Sequence, residues 1–182
     1  MRKVIICLAG ATLLFVWNAF SWMALPFHSN TLRTVPEGAI DFHLLHTQMK
    51  ENGVYHFPGL DTENISNALE SGRIPFMVYI KGKTEVFDPF VFLKSFFLNA
   101  VLATLIFLVV QQFPAVSRAK IVVNSLLLGL IVGFASDFPQ MNWYMFPFSY
   151  TLVNALDHLI GFGLLGVLYG RFINKAETNV GR

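Results

Sequence analysis

Asp157 and His158 interrupt a stretch, Tyr150 to Gly170, that is otherwise uncharged and largely apolar. A carboxylate turned towards lipid is costly, so this pair must face the interior of a helix assembly or a water-filled cavity. Asn154, Asp157, His158 and Gly161 are spaced so that they share one side of a helix. Asn18 and Asn99 sit in two other apolar stretches at a depth comparable to that of Asp157 and His158, and at about 1.5 Å per residue these four fall on one level, roughly 10 to 12 Å below a common surface. Asn18, Asn99, Asn154, Asp157 and His158 thus define a polar layer inside an apolar slab. Such a layer supports a proton or ion relay, or an embedded acid–base site. It equally supports an interhelical clasp that fixes how helices pack. His158 is a poor partner for Asp157, because neighbours on a helix diverge by about 100 degrees. Lys94, whose long stem can reach down or snorkel out, is the expected partner, with Asp137 facing the same vestibule.

Other chemistry has thinner support. His43 and His46 stand one turn apart, with Asp41, Glu51, His28 and His56 as further donors, a set that would suit zinc, nickel or copper. Their spacing lacks the glutamate of a zinc-protease helix, which favours surface histidines over a metal site. Serine, histidine and aspartate are all present, yet no Gly-x-Ser-x-Gly elbow frames a nucleophile. No nucleotide-binding loop occurs and no cofactor is implied. Cys7, the single cysteine, can form no internal disulfide and is expected to be buried and inert.

The elements that must position this layer follow from composition. Of 182 residues, 54% are hydrophobic and 13% charged, with a mean hydropathy of +0.55, which lies outside the range of an ordinary water-soluble domain. Spanning a hydrocarbon core of about 30 Å takes about 20 apolar residues. Residues 4–27, 91–111, 120–137 and 150–170 meet that demand, the third only by including Lys120 and Asp137. The expected fold is an all-α bundle of four transmembrane helices with a small α+β insertion at residues 28–90, between helices 1 and 2. Residues 138–149, rich in aromatics and methionine with Pro139 and Pro147, read as an interfacial loop through which no helix runs.

Basic residues near helix ends are retained on the cytoplasmic side. Arg2 and Lys3, Arg118 and Lys120, and Arg171 and Lys175 all fall on one side of a four-pass path, so both termini, including the tail 171–182, are expected in the cytoplasm. The net charge of +2 is therefore a topogenic asymmetry, and no basic stripe for nucleic acid exists. A cleaved signal peptide is the alternative for the first segment, with Met1, Arg2 and Lys3 as its charged part. Against it stand the length of the apolar run and Trp17, Phe20 and Trp22, which read as an interfacial aromatic belt.

Within the insertion, a helix over Pro36 to Asn52 is expected from Thr34, Pro36 and Glu37, and a second, capped by Asp61, ends near Gly72. Residues 53–58 and 75–80 read as strands, with a turn at Lys81 to Lys83 leading to Thr84 to Phe87. A segment of about 60 residues has a marginal core of its own and should gain stability by docking as a lid. Residues 175–182 look disordered.

Small residues predict close helix contacts. Ser125, Gly129 and Gly133 form one ridge, and Gly163, Gly166 and Gly170 another, which serves either packing within the bundle or a seam for a second subunit. The segment Trp17, Asn18, Ala19, Phe20, Ser21, Trp22, Met23, Ala24, Leu25, Pro26, Phe27 and His28 resembles the opening of small bacterial inner-membrane proteins of unassigned activity. That resemblance implies a bacterial inner-membrane location and transfers no catalytic residue. Together these features point to an accessory or scaffold protein that contacts lipid and other membrane proteins or itself. The alternative is a small transporter or membrane enzyme built on the Asp/His/Asn layer.

Overall fold

The computed structural model describes residues 1–41, 43, 47–49, 51, 53–57, 63, 66–67, 70–71, 76–80, 88–112 and 117–177. The chain divides into two compact units, residues 1–33 with 89–182, and residues 34–88. Among the described residues, four helices are long and apolar enough to cross a membrane. They are α1 (Arg2–Met23), α3 (Pro89–Val110), α4 (Arg118–Tyr144) and α5 (Phe148–Glu177). In hydrocarbon every backbone N–H and C=O must be satisfied internally, which is why apolar segments of this length take up helix. Leu8, Val16, Leu98, Leu105, Ile131, Phe134 and Val167 are exposed on their outer faces. In water that surface would aggregate; in lipid it is the expected one.

The core is read from the buried positions. Ile6, Ala11 and Leu14 of α1 meet Ala103, Ile106, Phe107 and Val110 of α3 and Phe162, Leu165 and Tyr169 of α5. Packing runs in the order α3, α1, α5, α4: α1 lies against both α3 and α5, and α4 makes the most extensive contact of all with α5. Although consecutive in sequence, α3 and α4 touch each other little. Near the basic end, where Arg2, Lys3, Arg118, Lys120 and Arg171 lie, Tyr169 crosses the core. Its hydroxyl donates to the carbonyl oxygen of Ala103 at 2.8 Å and its ring meets Phe107 edge-on at 5.3 Å. Gly10 admits that hydroxyl, since a Cβ there would collide with it.

The α4–α5 seam is built from both glycine ridges. Ile121, Ser125, Gly129 and Gly133, one residue in four, are the buried positions of α4. A Cβ on Gly129 would sit 2.8 Å from the carbonyl oxygen of His158, and one on Gly166 would sit 2.8 Å from Ser125 Cβ and 2.9 Å from Val122 Cα. Gly163 faces Leu126 and Gly170 faces Arg118. The second ridge is therefore occupied within the chain and is not a free seam for another subunit, because only glycine lets these two backbones approach so closely.

Several boundaries differ from expectation. Helix α4 does not stop near Asp137 but runs through Pro139 to Tyr144 and ends at Met145, whose φ of 56° is left-handed. Proline removes one backbone bond and costs about 3 kcal/mol in a helix interior, which the long packing of α4 on α5 outweighs. The interfacial loop is correspondingly short. Helix α5 continues through residues 175–177, expected to be disordered, while residues 178–182 lie outside the described ones. Helix α1 ends at Met23; Leu25 is extended and Pro26 opens a short helix, α2 (Pro26–Ser29), since proline is pre-set for a first helical position.

In the second unit, β1 (Gly53–Phe57) pairs antiparallel with β2 (Phe76–Ile80), Gly53 opposite Ile80 and Phe57 opposite Phe76. The helix expected from Pro36 does not begin there: residues 37–40 are turn and bend, and Gly38 has a φ of +78°, which a helix does not accommodate. His43, Thr47 and Gln48 are helical, as are Glu63, Ser66, Asn67 and Glu70, the intervening positions lying outside the described residues. So do Asp61, Lys81 to Lys83 and Thr84 to Phe87.

The seam makes a graded prediction. Gly129→Ala and Gly166→Ala should each destabilise the protein by about 1–3 kcal/mol through overpacking. Gly170→Ala, whose nearest neighbour lies 3.6 Å away, should be close to neutral. Thermal unfolding in a mild detergent measures all three; equal losses at the three positions would contradict the seam.

Candidate functional site

Asp157 reaches out of α5 towards α1 and α2. Its Oδ1 accepts a hydrogen bond from Ser21 Oγ at 2.6 Å, and its Oδ2 lies 2.7 Å from His28 Nε2. Because a carboxylate only accepts, Nε2 carries the proton in this pair. Ser21 and His28 also approach each other at 3.3 Å. Ser21 is 1% exposed, His28 2% and Asp157 14%. The break at Leu25 and Pro26 is what folds His28 back beneath the end of α1, where Trp22 stacks on its ring at 3.8 Å. The partner of Asp157 is thus a pair of residues outside the expected list. Lys94, the expected partner, is exposed on α3, where its ammonium avoids desolvation by staying at the surface.

His158, one residue on, points elsewhere. Its Nε2 lies 3.3 Å from Asp137 Oδ2, an ion-pair distance without the alignment of a hydrogen bond. Adjacent residues of α5 therefore tie it to two different neighbours, Asp157 to α1 and α2 and His158 to α4, as the divergence of successive side chains requires. Asp137 lies in the α4–α5 seam. Asn18 Nδ2 donates to Asn99 Oδ1 at 3.1 Å, joining α1 to α3, and Asn99 Nδ2 donates to Ser95 O at 2.9 Å.

All five residues of the polar layer line one cavity of about 480 Å³ between α1, α3 and α5. It is tiered. Leu14, Phe15, Leu102 and Phe162 form an apolar floor; Asn18, Asn99, Asp157 and His158 form the level above; Trp22, Met23, Phe92, Ser95 and Asn154 surround the upper part. Gly161 also lines it on the α5 side, and a Cβ there would press on Leu14 and Trp17 of α1 at 3.2 and 3.3 Å. Trp17 turns inward, its Nε1 buried and without a hydrogen-bond partner, and so is not an interfacial anchor as expected. Helix α1 lines the cavity and contributes Ile6, Ala11 and Leu14 to the core.

The arrangement is not that of a nucleophilic hydrolase. There the imidazole accepts the hydroxyl proton through one nitrogen and donates to the carboxylate through the other. Here hydroxyl and imidazole both donate to the carboxylate, and His28 Nδ1 is buried without a hydrogen-bond partner. Both oxygens of Asp157 are engaged within the chain, and Ser21 is closed to a substrate. No group of three or more potential metal-ligating side chains occurs among the described residues. His43 is described in the second unit, with its backbone N–H donating to Asp41 Oδ1 at 2.9 Å, and His46 lies outside the described residues. His28, counted as a further metal donor from the sequence, belongs to the Asp157 cluster. Cys7 is half-buried on α1. No family model, curated protein or solved structure matches this chain.

Sequence reasoning missed Ser21 and His28. The available signal was the Leu25 and Pro26 break, which ends one helix and starts another and so returns the following residues to the bundle.

A double-mutant cycle tests the pairing. His28→Ala and Asp157→Asn should be coupled by about 0.5–3 kcal/mol, measured by thermal or denaturant unfolding in detergent. Lys94→Ala should be additive with Asp157→Asn. Coupling to Lys94 with none to His28 would reverse the assignment.

Proposed function

We propose that this chain is a four-pass accessory protein of a bacterial inner membrane, with both termini in the cytoplasm and an α+β insertion on the periplasmic side. It binds other membrane proteins and performs no reaction of its own. One observation carries this reading: both carboxylate oxygens of Asp157 are taken up by Ser21 and His28, so the intramembrane acid is spent on holding α5 to α1 and α2. An interhelical polar contact of this kind specifies packing. The sidedness rests on Arg2, Lys3, Arg118, Lys120 and Arg171 sharing one end of the helices, and the location on the resemblance of residues 17–28.

The tiered cavity favours a second reading, a site for a small molecule in a transporter or enzyme. Its volume falls within the range of about 300–1,000 Å³ usual for ligand pockets, and His158, 35% exposed, is its most accessible titratable group.

Affinity capture in a gentle detergent distinguishes the two. The accessory reading expects the chain to recover a defined set of membrane proteins, and expects His158→Ala to leave that set unchanged. Recovery of the chain alone, together with loss of a cellular phenotype in a stably folded His158→Ala variant, would favour the ligand site instead.

A further inference from the structure

Two grooves at the basic end take no part in the polar layer. The larger, about 300 Å³, runs between α1 and α3 and is walled by Val4, Leu8, Ala100, Thr104 and Leu108. The smaller, about 190 Å³, is bordered by Arg2, Gln111 and Phe172, where the start of α1 meets the end of α3 and the later turns of α5. Lys3 and Phe107 line both grooves, which therefore adjoin.

Charge and polarity are unevenly distributed along this surface. Among the described residues no carboxylate lines either groove, whereas Lys3 lines both and Arg2 borders the smaller beside it. Arg2 Nη2 donates to the carbonyl oxygen of Phe172 at 3.2 Å, which holds the guanidinium against α5 and leaves further N–H donors for a second acceptor. Away from Lys3 the larger groove is apolar: the Thr104 hydroxyl is already given to the carbonyl oxygen of Ala100 at 2.7 Å. From Leu108 to Ala100 the wall of α3 rises about 12 Å, following the direction of an acyl chain. A cationic head leading into an apolar slot between helices is complementary to an anionic amphiphile and to little else.

We propose that the joined grooves bind one anionic phospholipid, its phosphate held by Lys3 and Arg2 and one acyl chain lying between α1 and α3. The site is independent of the Asp157 layer and of the role proposed above. The lipid would fill the slot that direct contact between α1 and α3 leaves open near the basic end. A zwitterionic lipid fits the same slot but brings an ammonium group towards the two cations, so selectivity comes from the head and affinity from the tail.

Native mass spectrometry of the full chain in detergent, titrated with phosphatidylglycerol or phosphatidylcholine, tests the site. Phosphatidylglycerol should bind more tightly by about fivefold or more, the effect of one surface cation on an anionic head. Lys3→Gln should remove most of that preference and leave phosphatidylcholine binding unchanged; Arg2→Gln provides the same test should the first variant fail to fold. Ala100→Leu, which fills the slot without altering charge, should weaken both lipids. Lys120→Gln, at the same end but outside the grooves, should change neither. Equal binding of the two lipids to the parent chain, or an equal loss from Lys120→Gln and Lys3→Gln, would overturn the proposal.

Discussion

An ionisable carboxylate in an apolar interior must be matched by hydrogen-bond donors, and the arrangement of this molecule around Asp157 follows from that demand. Two donors come from one short stretch of chain, Ser21 near the end of α1 and His28 in α2. Bringing both to one carboxylate requires α1 to stop at Met23 and the chain to turn back at once, and Leu25 and Pro26 provide that turn. Leaving either donor buried without the carboxylate would cost about 1–3 kcal/mol. The clasp thus fixes the depth of α1 relative to α5, while the Asn18–Asn99 bond separately ties α1 to α3.

A second constraint acts on the other side of α5. Its Gly166 meets Val122 and Ser125 of α4, Gly129 of α4 meets its backbone at His158 and Leu159, and His158 reaches Asp137 across the same seam. Helix α5 is therefore gripped on two sides by unlike means, a hydrogen-bonded carboxylate on one and close backbone packing on the other. Helix α3 is attached differently, through α1 and the Tyr169 bond near the basic end. The tiered cavity lies between α1, α3 and α5, and its polar level coincides with the clasp.

Much of this was legible in the sequence. Apolar length and the scarcity of charge located four helices, since lipid leaves the backbone no alternative; depth counting grouped Asn18, Asn99, Asp157 and His158, the helical face added Asn154, and all five line one cavity. The partner of Asp157 was not legible. Reach favoured Lys94, but desolvation of an ammonium is costly, whereas a neutral hydroxyl and an imidazole enter an apolar interior more readily. His28 was assigned to the insertion because the uncharged apolar run ends before it, and residues 138–149, with Pro139, were read as a loop although α4 continues through that proline to Tyr144. Proline marks a place where hydrogen bonding changes; whether the helix ends there is decided by packing that sequence does not display. Gly166 and Gly170 left a choice between an internal seam and an external one, settled only by the position of α4.

The central claim is that Asp157 is a structural acceptor for His28. Solid-state NMR of the protein in lipid bilayers, labelled with ¹⁵N-histidine and ¹³C-aspartate, measures the dipolar coupling between His28 Nε2 and the Asp157 carboxyl carbon. The account predicts a strong coupling from a directly hydrogen-bonded pair, lost in Asp157→Asn. A His28 ring with no coupling to Asp157 in the parent protein would contradict it.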